Sequence, residues 1–263
     1  MKMKKSAQEF LDNMVNVLKS DSRFLGCTIG GSWITNEFDD FSDLDILIVS
    51  NEKDYNEVLN EKSSIASSFG NFLSGFTGEH FGDSRVLVCM YNNPLLHVDL
   101  KFITLSDLSQ RIENPEVLYE VDEQLSDIIK NTSPKEAYIV DYQWVEDRFW
   151  TWVHYCAVKI ARGELFASRA FIDYLGEGVL SPMAKQLEGI DARGFRRIES
   201  QLPEFSKELQ IILSSHNQKD YLKALLGAVS LYRKLRKKIP SEKVIPDSYL
   251  EHEVMIFIDN LDI

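Results

Sequence analysis

Two aspartates, Asp43 and Asp45, stand two residues apart at the mouth of an apolar run, Leu44-Asp45-Ile46-Leu47-Ile48-Val49. In an extended chain, residues i and i+2 point to the same face. Two carboxylates held side by side repel each other unless a cation sits between them. A hard divalent ion with oxygen ligands removes that repulsion. Magnesium ordinarily keeps several waters and takes one or two protein carboxylates plus phosphate oxygens, so this pair suits a metal-bound triphosphate. Upstream lies Gly30-Gly31-Ser32, separated from Asp43 by ten residues. Glycines permit positive φ and close approach of the backbone, and N–H groups at a helix start receive phosphate. Ser32 adds a hydroxyl donor.

A third carboxylate is expected on an adjacent strand, and Leu96-His97-Val98-Asp99-Leu100-Lys101-Phe102 supplies one. Apolar residues alternate there with His97, Asp99 and Lys101, which puts Asp99 on the polar face. If that strand pairs beside the Asp45 strand, three carboxylates converge. They can hold two metal ions, or one ion while Asp99 takes a proton from an attacking hydroxyl. The competing account is structural: a solvated strand entrance shared with Asp39 and Asp40, and a plain tight turn at Gly30-Gly31.

The elements that must position these groups follow from periodicity. Ser6 and Glu9 have capping-box spacing, and Phe10, Met14, Val17 and Leu18 recur at helical intervals, predicting a helix over Ser6–Lys19. Phe24–Ile29 reads as a strand running into the glycine turn, and Trp33–Glu37 as a short helix after it. Leu44–Val49 reads as a strand buried on both faces, followed by a helix over Asp54–Phe69. Arg85–Tyr91 and Leu95–Ile103 flank Asn92-Asn93-Pro94 as a hairpin. Helical stretches are expected near Ser106–Arg111 and Pro115–Ile129. Asn131-Thr132-Ser133-Pro134-Lys135 is a polar, proline-bearing boundary. Beyond it the chain reads as helical, with Val145, Phe149, Val153, Cys156 and Ile160 on one stripe and further helices near Ser168–Tyr174, Pro182–Leu187, Glu204–Ser214 and Tyr221–Lys238. The predicted fold class is α+β: a mixed sheet flanked by helices over residues 1–133, then an α-helical domain over residues 134–263.

With Gly31-Ser32, Asp43-Leu44-Asp45 and Asp99 in this order, residues 24–103 resemble the polymerase-beta-type nucleotidyltransferase superfamily. The helical second half makes the chain similar to the small bacterial aminoglycoside and lincosamide nucleotidyltransferases within it. The resemblance implies Mg²⁺-dependent transfer of a nucleoside monophosphate, AMP from ATP, onto an acceptor hydroxyl, with release of pyrophosphate. Gly31 and Ser32 would touch the triphosphate. Asp43 and Asp45 would bind metal, and Asp99 would be a metal ligand or the general base. In such enzymes a cation from the helical domain often meets the triphosphate; Lys159 is the candidate here, followed by Arg162. The competing account makes both ordinary helix-surface charges. Trp150, Trp152 and Tyr155 could stack on a base or line an acceptor pocket, although aromatics at helical spacing usually serve a core. His80, His97 and His154 stand isolated, without the spacing of a metal site.

Charge narrows the acceptor. The formal net charge is −12 over 263 residues. Residues 1–135 carry 12 basic and 22 acidic side chains, the rest 17 and 19. An acidic first half argues against a nucleic-acid backbone as partner and suits a cationic small molecule, whose capture it would speed. A polycationic aminoglycoside is therefore the expected acceptor. A lincosamide, a protein or RNA acceptor, and a non-catalytic nucleotide-binding module are the alternatives. MKMKKSAQEFLDNM has a basic start with no apolar run behind it, so no signal peptide is expected. No window approaches the apolar length of a membrane helix. Three scattered cysteines, Cys27, Cys89 and Cys156, offer neither a disulfide framework nor a zinc site, which points to the reducing cytoplasm. Monomer and homodimer are both compatible with the sequence.

Overall fold

The computed structural model describes residues 2–135, 139–213 and 217–261. The chain divides into two compact units, Met1–Glu136 and Ala137–Ile263.

The first unit is built on six strands: β1 (Phe24–Ile29), β2 (Leu44–Ser50), β3 (Phe72–Gly78), β4 (Asp83–Tyr91), β5 (Leu96–Ile103) and β6 (Glu116–Glu120). Their spatial order is β3-β4-β5-β2-β1-β6. Only β2 and β5 run parallel; the other neighbours are antiparallel. Helix α1 (Lys2–Lys19) lays Phe10, Leu11, Met14 and Leu18 against one sheet face, with Leu44, Ile46, Ile48, Val98, Leu100 and Phe102 beneath. Val49 and Ile103 belong to a second cluster on the opposite face, with Leu108 and Leu125. The late part of β2 is therefore covered on both faces, as its unbroken apolar run predicts.

Several expectations change. The helix predicted over Asp54–Phe69 is two short ones, α2 (Tyr55–Asn60) and α3 (Lys62–Ser67), separated at Glu61. The stretch near Ser106–Arg111 is a single turn, α4 (Leu105–Leu108), held by a capping box between Thr104 and Asp107. Trp33–Glu37 is not helical; a 3₁₀ turn over Gly31–Trp33 stands in its place, and Asn36 adopts a left-handed conformation (φ +57°) that no helix continues through. Most consequential, Pro115–Ile129 is not one helix. Its first part is the edge strand β6, paired antiparallel with β1, and only Gln124–Asn131 (α5) is helical. Pairing with an open sheet edge overrides the local preference. Strand β3 has no counterpart in the sequence reading.

The second unit is helical throughout its described part: α6 (Tyr142–Ala161), α7 (Leu165–Tyr174), a π-helical stretch over Leu175–Leu180, α8 (Ser181–Leu187), α9 (Ile198–Gln201), α10 (Pro203–Leu213), α11 (Gln218–Arg236) and α12 (Ser248–Asp259). The predicted end of α10 at Ser214 lies outside the described residues. Val145, Phe149, Val153, Cys156 and Ile160 are all buried on α6. Trp150 joins this core rather than a ligand surface, fully buried beside the stacked pair Phe149–Tyr232. The three cysteines are buried and unpaired, and burial pushes each thiol up to about 12.

A buried carboxylate ties three of these helices together. Glu146 on α6 accepts from Tyr232 Oη, from Arg236 at 3.0 Å, from Trp150 Nε1 at 3.3 Å and from the Asp247 backbone N–H at 3.1 Å. Arg236 on α11 also pairs with Glu251 on α12 at 2.7 Å. Removing Glu146 would leave the buried Tyr232 Oη and Trp150 Nε1 without this acceptor, while Arg236 keeps Glu251. Glu146→Ala is expected to destabilise the protein by about 3–5 kcal/mol, read as a shift of the denaturant midpoint. A loss under about 1 kcal/mol, the level of an exposed ion pair, would show that the network does not hold the helices.

Candidate active site at the end of the sheet

Strands β2 and β5 set the site. They run parallel, and in their register Asp45 faces Asp99 directly, with Leu44 opposite Val98 and Ile46 opposite Leu100. Because both strands alternate, the two aspartates share the polar face while their apolar neighbours point into the core. Asp43 precedes Asp45 by two residues and joins them. One carboxylate oxygen from each of Asp43, Asp45 and Asp99 lies within 4.8 Å of the others. Burial raises the pKa of Asp99 from its ordinary value, the charge of Asp43 pushes the same way, and His97 opposes both. His97, isolated in sequence, stands two residues along the same strand face with Nε2 3.1 Å from Asp99 Oδ1. The His-x-Asp spacing on an alternating strand is the signal that could have found this pair.

The glycine turn closes on the same sheet end. β1 runs antiparallel to β2, with Ile29 opposite Ile46, and Gly30 N–H donates to the Asp45 carbonyl at 2.9 Å. The chain leaving β1 is thereby delivered to the point where β2 begins. Gly31 has φ +60°, and a Cβ there would stand 2.2 Å from Asp45 Oδ2. Only glycine lets the backbone lie this close to the carboxylate. Ser32 is buried, and its Oγ has no hydrogen-bond partner among the described residues.

Gly31 N–H is directed at Glu113 Oε1, 2.7 Å away. Sequence reasoning did not find Glu113. It lies 82 residues from Gly31 in a stretch read as flanking a helix, and only the pairing of β6 with β1 brings it near.

These residues fit a divalent cation with a phosphate ligand. Three hard carboxylate oxygens converge, which is the donor set such ions take. A cradle that a Cβ would fill adjoins them, and a buried hydroxyl beside it has an unmet hydrogen bond. Lys159 and Arg162 belong to the second unit. There Lys159 Nζ pairs with Glu164 at 2.6 Å, and Arg162 lies 3.9 Å from the same carboxylate. Trp152 and Tyr155 sit on the partly exposed side of α6 in edge and tilted contacts with Tyr174 and Phe171.

Among the described residues, no helix is long and apolar enough to cross a membrane. Comparison with curated proteins returns no match. Among solved structures, the crystal structure of an aminoglycoside 6-adenyltransferase from Bacillus subtilis is 18% identical, with 97% of each chain covered and a TM-score of 0.39. The family model for streptomycin adenylyltransferase matches residues 3–260. That span takes in the sheet unit and the helical unit alike, so the whole chain belongs to the streptomycin adenylyltransferase family and is a nucleotidyltransferase.

Proposed function

We propose that this enzyme transfers AMP from ATP to a hydroxyl of a streptomycin-class aminoglycoside and releases pyrophosphate. The observation that carries the reading is the in-register facing of Asp45 and Asp99 with Asp43 beside them. Family membership supports adenylyl transfer. The excess of acid over base in the first half of the chain supports a polycationic acceptor.

Asp43 and Asp45 would hold Mg²⁺, with the Asp99 carboxylate beside them. When bound, the ion would neutralise triphosphate charge and make the α-phosphorus a better electrophile. The acceptor oxygen forms a bond to the α-phosphorus, and the bond from that phosphorus to the oxygen bridging the β-phosphate breaks. The electron pair leaves with pyrophosphate, and the hydroxyl proton passes to the Asp99 carboxylate. Gly31 lets the backbone approach the phosphates without a side chain in the way, and Ser32 Oγ offers them a donor. The domain assignment follows: residues 1–133 carry the nucleotidyl-transfer chemistry, and residues 134–263 contribute to acceptor and triphosphate binding.

The test is pyrophosphate release from ATP and Mg²⁺ with aminoglycosides or lincosamides supplied one at a time. Release is expected with streptomycin-class compounds, with one equivalent of AMP appearing on the antibiotic. Release with lincosamides alone would overturn the acceptor. Labelling of protein or RNA without any antibiotic turnover would overturn the small-molecule reading altogether.

A further inference from the structure

We propose that Glu113 is a positioning residue that holds the Gly30-Gly31-Ser32 turn in its phosphate-receiving shape. The inference rests on the functional reading above and assigns a residue that this reading does not use. Gly31 opens the 3₁₀ turn in the left-handed region, which favours glycine. Glu113 Oε1 accepts from its N–H at 2.7 Å, and a Cβ on Gly30 would meet the same oxygen at 2.4 Å. The turn is thus packed between two carboxylates, Glu113 against Gly30 and Asp45 against Gly31.

The segment that carries Glu113 is itself anchored. Arg111 is buried and donates to Asn114 Oδ1 at 2.9 Å, to the Ile129 carbonyl at 2.8 Å and to Thr132 Oγ1 at 2.5 Å. These contacts tie the segment to the C-terminal end of α5, whose last carbonyls need such a donor. On the other side the chain enters β6, where Glu116 pairs with Ile29, the residue before the turn. Glu113 is therefore carried on a backbone held at both ends, which favours a buttress over a swinging placeholder that phosphate must displace.

The experiment compares wild type, Glu113→Ala and Glu113→Gln by backbone amide exchange at Gly31 and by equilibrium binding of a non-hydrolysable ATP analogue with Mg²⁺. Glu113→Ala is expected to speed exchange at Gly31 while β2 and β5 stay protected, and to weaken analogue binding about tenfold. In turnover, KM for ATP rises and kcat at saturation holds. Glu113→Gln keeps an oxygen acceptor and is expected to restore both exchange and binding. Unchanged or tighter binding by Glu113→Ala would overturn the proposal, the latter by making Glu113 a competitor of phosphate. Glu113→Gln as weak as Glu113→Ala would overturn it too. A wild type that binds no nucleotide would instead sink the functional reading and every nucleotide role with it; an effect missing only in the variants counts against Glu113 alone.

Discussion

Asp45→Asn is expected to bring transfer down to background while leaving the fold intact. Asparagine has the shape of aspartate, so it fills the same space against Gly31, where even a Cβ would come within 2.2 Å of Asp45 Oδ2. What it lacks is the charge that balances a divalent ion, and its amide is a poorer ligand than a carboxylate. At the same time, one of three crowded negative charges disappears, which relieves repulsion among them. Function and stability should therefore move apart: no measurable pyrophosphate release at saturating ATP, and a melting temperature at or above that of the wild type. Asp43→Asn should behave in the same way, because its carboxylate completes the same 4.8 Å cluster. Substantial turnover in either variant would remove the metal role from the pair. A fall in melting temperature as large as the loss of activity would mean that the charge serves the fold instead.

Asp99→Asn is the second large effect, expected to lower kcat by about 10²–10⁴-fold if Asp99 takes the hydroxyl proton. As general base, Asp99 works only when ionised. The wild-type rate should rise with pH as that carboxylate loses its proton, and the variant should lose this limb. A variant profile that keeps the wild-type limb would make Asp99 a ligand only. The stability sign follows from linkage. Burial, with Asp43 adding to it, raises the Asp99 pKa in the folded state. A raised carboxyl pKa favours the fold below the unfolded pKa, and that contribution is lost as pH rises through the folded value. Above that folded value ionised Asp99 thus costs stability, and there Asp99→Asn should melt no lower than wild type. A clear drop in its melting temperature would contradict that sign.

The residues of the candidate site were legible because each announces itself locally. Asp43 and Asp45 share a face by their spacing on any strand, and Asp99 stands out on β5 because Leu96, Val98, Leu100 and Phe102 around it are apolar. The α6 stripe was equally plain, since Val145, Phe149, Val153, Cys156 and Ile160 recur at helical intervals and all reach the core. Errors fell where a distant partner decides the outcome. Glu116–Glu120 becomes a strand because β1 offers it a free edge. Glu61 separates two short helices where periodicity suggests one. Glu146 reads as one more acid on a helix, yet it sits at the centre of a buried network drawn from α6, α11 and the start of α12.

What residue order alone determined was the inventory and its phase: two acids on polar strand faces with a third just ahead of one of them, glycine where the backbone must turn sharply, and a mixed first half before a helical one. Tertiary structure decided adjacency. The parallel register that sets Asp45 against Asp99, the closure of the turn on Asp45, the placing of His97 on Asp99 and the reach of Glu113 to Gly31 all join residues whose strands or loops find each other only in the folded sheet. Side-chain periodicity is a property of a single element and can be read along it. Which element lies beside which depends on burying the whole core and pairing every strand edge at once.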